Sequence, residues 1–267
     1  MSPADLEFLC ALVRVRSGLV LTGERGFFAE TRLSPLARRE GAVSVSDLVQ
    51  RVKTAGDDRL LRAVVEAMLI QETSFFRDRT VFRALQDQIL PSLAAARGGR
   101  VRVWSAGCGS GQEAYSLAMM AEDAATLAEP DIFASDLSTA ALEKAESGLY
   151  THFEVQRGLP IRSLLRHFEP AGDAWRILPD IRQKVRWRRL NLVDQFTVGE
   201  PFDLILCRNV IDGFAPTAKA KAIEGLMQAL APDGWLVLGA HEVAPTGLAA
   251  AGAAGVYRRK LAAIEAA

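Results

Sequence analysis

Three glycines at alternate positions, Gly107, Gly109 and Gly111, follow the strand-type run Val101, Val103 and Trp104, and helical sequence begins at Gln112 with Glu113 beside it. A strand, a glycine turn and a helix in that order form a cradle for a nucleotide-type ligand, because residues without Cβ let the backbone come close. The dinucleotide fingerprint needs its third glycine one position later, where Gln112 stands. Glu113 adds a second distinction. A carboxylate in the first turn repels a pyrophosphate, which takes the positive helix end for itself. It suits an adenosine ligand that carries positive charge, and S-adenosylmethionine, with its ammonium and sulfonium, is such a ligand. The turn alone leaves open a βα connection that binds nothing.

Further polar residues fall where strands should end. Asp136 closes a second strand-type run at 132–135, 25 residues after Gly111. An acid there can accept hydrogen bonds from ribose hydroxyls, or can cap the helix that Ser138 and Thr139 introduce. Cys207-Arg208-Asn209-Val210 ends the apolar run 202–207, and Asn191-Leu192 ends the run before it. Open parallel sheets bind ligands at the carboxyl ends of their strands, which places Asn191, Leu192, Arg208 and Asn209 at a site. Turn chemistry by the asparagines and a surface arginine is the plainer alternative. Gln71-Glu72-Thr73-Ser74-Phe75-Phe76-Arg77-Asp78 lies apart from these runs. Its phenylalanines read as core, and Arg77 can simply pair with Asp78.

The elements that must position these residues change character along the chain. The first ninety residues lack strand alternation and read as short helices: one opened by Ser2-Pro3, one starting near Phe28, one capped by Ser46, and one over 57–70. A longer helix is predicted over 79–93, broken by Gly98-Gly99. Strands and helices then alternate, with strands at 101–104, 132–135, 185–190, 202–207, 235–239 and 255–259 and helices at 139–147 and 217–230. Such alternation implies a mostly parallel sheet covered on both faces. Pro232-Asp233-Gly234 reads as a turn, and the alanine-rich stretches 247–254 and 261–267 as connection and tail. Segments 175–178 and 185–188 read as a small antiparallel insertion. The resulting division is a helical domain over 1–78, a linker helix over 79–99, and an α/β domain over 100–267 with a β insertion at 168–188.

Composition narrows the function classes. Lys plus Arg and Asp plus Glu each number 32, so no net field favours nucleic acid or an anionic membrane. Three scattered cysteines, Cys10, Cys108 and Cys207, have neither disulfide nor metal-ligand spacing. Charged residues interrupt the apolar N-terminal stretch, which fits neither a signal peptide nor a membrane span. A cytoplasmic, metal-free protein not embedded in a membrane is the expectation.

The motifs taken together resemble CheR-type methyltransferases, which methylate glutamates on chemoreceptors. The resemblance rests on 71–78, on the glycine turn continuing into Glu113, Tyr115 and Ser116, and on Phe133-Ala134-Ser135-Asp136. Ser147-Gly148-Leu149-Tyr150, Asn191-Leu192, Phe202-Asp203, Cys207-Arg208-Asn209-Val210 and Pro232-Asp233-Gly234 follow in the family's order. Residues 1–69 resemble its N-terminal helical domain more loosely. The resemblance implies a Rossmann-like α/β methyltransferase domain with a small β insertion, preceded by an all-α domain. It implies S-adenosylmethionine as cofactor, held by Gln71, Thr73, Arg77, Glu113, Asp136, Asn191, Leu192, Arg208 and Asn209 around Gly107, Gly109 and Gly111. Arg77 is assigned to holding carboxylates near the transferred methyl, since its planar fork suits that task.

The implied partner is a chemoreceptor cytoplasmic domain, with Arg32, Arg38 and Arg39 as a basic face toward its acidic methylation region. Family members that bind the receptor's tail pentapeptide carry a longer glycine-containing loop in the insertion. The short Glu169-Pro170-Ala171-Gly172-Asp173-Ala174 implies recognition without that peptide. Three departures stand out: Gln71 replaces an asparagine, Gly213 replaces a tyrosine near the methyl, and Gly239-Ala240-His241-Glu242 replaces Gly-His-Ser-Glu. A methyltransferase of the same fold with another acceptor, and a cofactor-binding module without turnover, are the competing readings.

Overall fold

The computed structural model describes residues 1–123 and 130–259, and these divide into two compact units. The first comprises Met1–Ile70 together with Asp212–Lys221. Its helices are Pro3–Ser17, Arg25–Arg39, Val45–Ala55 and Asp58–Ala67. Ser2 caps the first by accepting from the Asp5 amide, and Gly18 ends it at φ +80°. The third is capped by Ser44 rather than Ser46, since the Ser44 hydroxyl accepts from the Asp47 amide at 3.1 Å. Leu9, Val13, Leu33, Leu48 and Met68 fill the core between them. The segment 212–221 joins this unit by a bridge of Leu19 to Phe214, with the Val20 amide donating to the Gly213 carbonyl at 2.8 Å. A Cβ on Gly213 would come within 2.9 Å of Leu19 Cδ1.

The second unit begins at Gln71, so 71–78 lies with the α/β body rather than with the helical one. The helix expected over 79–93 runs as Arg79–Ala84, a π turn over Leu85–Ile89, and Leu90–Ala96. Pro91 has no N–H for a helical bond four residues back, and the Leu90 amide already donates to Leu85 five residues back.

The main sheet consists of β1 (Arg102–Ala106), β2 (Asp131–Asp136), β6 (Val185–Arg189), β7 (Phe202–Cys207), β8 (Leu230–Leu238), β9 (Leu248–Ala250) and β10 (Val256–Arg259). Their order is β6-β2-β1-β7-β8-β10-β9, parallel from β6 to β8, with β10 antiparallel to both β8 and β9. Every residue of β7 is buried, as a central parallel strand requires. From β1 the chain adds β2 and β6 on one side and β7 on the other. The carboxyl ends of β1 and β7 therefore form the switch point where such sheets open a crevice.

Three further expectations need correcting. Pro232-Asp233-Gly234 lies within β8, where a register shift between Phe202 and Leu204 absorbs the irregularity and Arg97 bonds both Asp203 and Asp233. The stretch read as connection, 247–254, contains β9; residues 261–267 lie outside the described ones. The small antiparallel sheet has order β3-β5-β4, from β3 (Leu149–Thr151), β4 (Phe168–Ala171) and β5 (Ala174–Ile177). Residues 185–188 instead pair in parallel with β2 as part of β6, because Val185 is buried against the main sheet. Among the described residues, no helix is long and apolar enough to cross a membrane.

Candidate functional site

The glycine turn leaves β1 with all three glycines at positive φ: +72°, +55° and +92° at Gly107, Gly109 and Gly111. Space as well as conformation excludes side chains here. A Cβ on Gly107 would lie 2.6 Å from Val210 Cγ2, and one on Gly111 would lie 2.8 Å from both Ala145 Cβ and Trp187 Cη2. At Gly109 it would meet Thr73 Cγ2 at 3.2 Å, so segment 71–78 packs directly on the turn.

Asp136 is buried at the end of β2 and faces that turn. Its Oδ2 accepts from the Gly109 amide at 2.8 Å, and its Oδ1 from the Ser138 amide at 2.9 Å and from Gln71 Nε2 at 3.2 Å. The helix cap that sequence offered to Asp136 belongs to Ser138, whose hydroxyl accepts from the Ala141 amide. Asp136 is thereby fixed by three segments, with its carboxylate turned to the crevice side of the sheet.

Phe75, fully buried edge-on to Tyr150 and Phe168, anchors segment 71–78. The core reading of that phenylalanine holds. Phe76 and Asp78 adopt positive φ of +47° and +59°, a cost that L residues bear only where surrounding contacts fix them. The contacts are identifiable: the Phe76 amide donates to Ser116 Oγ at 2.9 Å, and Asp78 pairs with Arg208. Arg77 does not pair with Asp78; its Nη1 donates to the Glu72 carbonyl at 3.0 Å.

Arg208, at the mouth of β7, has a side chain only 2% exposed. Its Nη1 donates to Glu113 Oε2 at 3.1 Å and its Nη2 to Asp78, while Ser105 Oγ donates to Glu113 Oε1 at 2.8 Å. Among the described residues, Arg208 Nε is buried with no hydrogen-bond partner. Asn209 sits at φ +59°, and Asn191 follows β6 with its Oδ1 accepting from the Val193 amide at 3.4 Å beside buried Leu192. Asp78, Ser105, Ser116 and Glu242 were given no role in the site by sequence reasoning. Asp78, Ser116 and Glu242 stood in stretches compared with the family's motifs, whereas Ser105 carried no signal.

The site offers no thiol nucleophile. Burial, then the charges of Asp136 and Glu113, push the Cys108 thiol up; burial, then Glu242 and Glu113, do the same to Cys207. Both stay protonated at neutral pH. A cavity of about 350 Å³ opens beside the turn, lined by Gln71, Thr73, Ser110, Gln112, Phe153 and Arg157 among others. A larger opening of about 990 Å³ lies at the opposite ends of the strands, by Arg102, Asp131 and Pro201, away from all of these groups.

These residues fit a cationic adenosine cofactor. The positive-φ turn brings bare backbone to the mouth of β1, Glu113 supplies a negative charge at a helix start, and the orphaned Arg208 Nε supplies a donor. Comparison with known proteins agrees. Residues 71–250 match the family described as CheR methyltransferase, SAM binding domain, and residues 4–69 match its all-alpha domain. The chain belongs to the CheR methyltransferase family. It is 37% identical over 247 residues to Chemotaxis protein methyltransferase 1 of Pseudomonas aeruginosa, covering 90% of each chain. It is 34% identical to the Vibrio cholerae protein of the same name, covering 91% of this chain and 90% of that one. Chemotaxis protein methyltransferase Cher2 of Pseudomonas putida is 33% identical, with 91% and 92% covered. The CheR chain described here is a methyltransferase with a Rossmann-like α/β domain, and S-adenosylmethionine is its cofactor.

Proposed function

We propose that the enzyme transfers the methyl group of S-adenosylmethionine to glutamate side chains of chemoreceptor cytoplasmic domains. The products are a glutamate methyl ester and S-adenosylhomocysteine. The observation that carries the cofactor pose is the buried Arg208–Glu113 pair at the switch point, opposite charges set where a ligand bearing both an ammonium and a carboxylate would end. The reading of the acceptor is supported by the chain's similarity to chemotaxis protein methyltransferases.

When bound, the cofactor supplies an electrophilic methyl on a sulfonium. The chain's residues hold and orient. Asp136 would accept from ribose hydroxyls, Glu113 would face the ammonium, and Asn191, Leu192 and Asn209 would line the crevice with Gln71 and Thr73. No general base is needed, since a glutamate with a pKa of about 4.3 is already ionised at neutral pH. Positioning is the main resource, and it supplies roughly 7–11 kcal/mol in favourable cases. Arg77 is assigned to the incoming carboxylate, its guanidinium held at one end by the Glu72 carbonyl.

A module that binds cofactor without turnover is the second reading, favoured by Gly213. There the space for the family's tyrosine is met by Leu19 Cδ1 at 2.9 Å. Incubation with labelled S-adenosylmethionine and receptor cytoplasmic domains decides between the two. Base-labile label on receptor supports transfer to glutamate; label only on other proteins points to another acceptor; tight binding with no label supports the module.

Two substitutions probe the assigned roles. Asp136→Ala should weaken S-adenosylmethionine binding by about 1.5–3 kcal/mol, the worth of hydrogen bonds to a charged group. Unchanged affinity by calorimetry in a folded variant removes Asp136 from the ribose. Arg77→Ala should lower turnover far more than thermal stability, because its partner is ligand. Lost folding cooperativity with normal specific activity of the folded fraction would make Arg77 structural.

Tail-peptide recognition is not part of this proposal. The β4–β5 hairpin closes through the two residues Gly172 and Asp173, and β4, an edge strand, carries Pro170, which has no N–H to offer an added strand. A receptor tail pentapeptide titrated into the protein should give no saturable signal at micromolar concentration. Binding abolished by changes in 170–178 would refute this.

A further inference from the structure

The Gly239-Ala240-His241-Glu242 stretch has no role in the mechanism above, yet Glu242 is 3% exposed at the heart of the site. Its Oε2 accepts from the Gly239 amide at 2.6 Å and from the Asn209 amide at 3.0 Å. One carboxylate oxygen thus ties the end of β8 to the residue just beyond β7. Asn209 sits at φ +59°, a conformation that asparagine tolerates better than most L residues but still pays for. A charge-assisted bond to its amide holds it there. Gly239 completes the arrangement, since a Cβ on it would meet Asn209 Nδ2 at 2.7 Å and Glu242 Oε2 at 3.0 Å. The Asn209 amide side chain is therefore seated on the bare Cα of Gly239.

We propose that Glu242 is a positioning residue that fixes the backbone of Asn209 and so aims the Asn209 side chain at the cofactor. This rests on the reading of Asn209 as a cofactor contact. Burying a carboxylate is costly unless it is fully hydrogen-bonded, and a strand end could be tied by a neutral group. A charged one is warranted where a strained neighbour must be held in a single orientation.

The test is calorimetric titration of S-adenosylmethionine into the full chain, its Asn209→Ala, Glu242→Ala and Glu242→Gln variants, and the Glu242→Ala/Asn209→Ala double variant. Asn209→Ala should bind at least tenfold more weakly, and Glu242→Ala nearly as weakly. The double variant should bind no more weakly than Asn209→Ala alone, because Glu242 acts through that side chain. Glu242→Gln, which keeps an acceptor oxygen but not its charge, should fall between wild type and Glu242→Ala. If Glu242→Ala does not fold, Glu242→Gln and Gly239→Ala carry the test, and Gly239→Ala should show the same loss by displacing Asn209. Wild-type affinity in a folded Glu242 variant with a lowered melting temperature would make Glu242 merely structural and overturn the proposal. So would losses that multiply in the double variant. Wild-type binding by Asn209→Ala would instead sink the assignment of Asn209, and the proposal with it.

Discussion

Arg208→Ala should destabilise the protein by about 3–5 kcal/mol, the range seen when one partner of a buried ion pair is removed. The guanidinium is 2% exposed and faces Glu113, whose side chain is 12% exposed, and Asp78, which is 47% exposed. Alanine leaves the Glu113 carboxylate desolvated, with Ser105 Oγ as its remaining donor among the described residues. The Asp78 arm is half in water and contributes little of the loss. Urea unfolding measures the effect, and a change below about 1 kcal/mol would show that Arg208 does not neutralise Glu113. The partner substitution makes the cause specific. Glu113→Gln in the Arg208→Ala background should restore part of the stability, because the stranded charge is then gone. Arg208→Lys should not rescue, since a point charge cannot span both Glu113 and Asp78 as the planar fork does. Cofactor binding should fail in Arg208→Ala and remain impaired in the double variant, which separates the site's need for the donor from the fold's need for a paired charge.

How much of this was legible in the sequence depends on how far apart the interacting residues lie. The glycine turn, Asp136 and the β7 mouth were readable because a parallel sheet imposes local rules: strands end where polar residues gather, and glycines mark a close approach. The segment 71–78 was not readable by those rules. It reaches the site only because Phe75 is buried against Tyr150 and Phe168, and because Gln71 bonds Asp136 from 65 residues away. Resemblance to a family supplied what spacing could not. Glu242 lay deeper still: an acid after Gly-Ala-His has no periodicity or partner in sequence, and its function appears only when β8 is set beside β7. The misplaced elements share a cause. Pro232-Asp233-Gly234 has turn chemistry but lies in a strand, because Arg97 and the β7 pairing override local preference. Residues 185–188 alternate weakly with many arginines, so nothing local distinguished an insertion from an edge strand of the main sheet. Arg186 pairs with Asp131 of β2 at 2.6 Å, a contact that only the parallel pairing brings about.

The second large effect concerns Gly111. Gly111→Ala should cost about 2–5 kcal/mol: roughly 1–2 for holding an L residue in a left-handed conformation and about 1–3 for overpacking. Both parts follow from geometry. Its φ is +92°, and a Cβ would lie 2.8 Å from Ala145 Cβ and from Trp187 Cη2. Ala145 is on the helix after β2 and Trp187 is in β6, so neither contact can relax without moving an element of the sheet or its cover. Gly172→Ala is the control. It sits at φ +62° with nothing within 4 Å of a Cβ, so it should lose only the conformational part. Urea midpoints for the two variants, read with their slopes, give the packing cost by difference. A Gly111→Ala loss no larger than that of Gly172→Ala would mean that the turn has room to shift. The cradle's close approach to its ligand would then owe nothing to a fixed backbone. A larger loss, with cofactor affinity falling in the folded variant, would show that the same absence of a side chain serves both packing and binding.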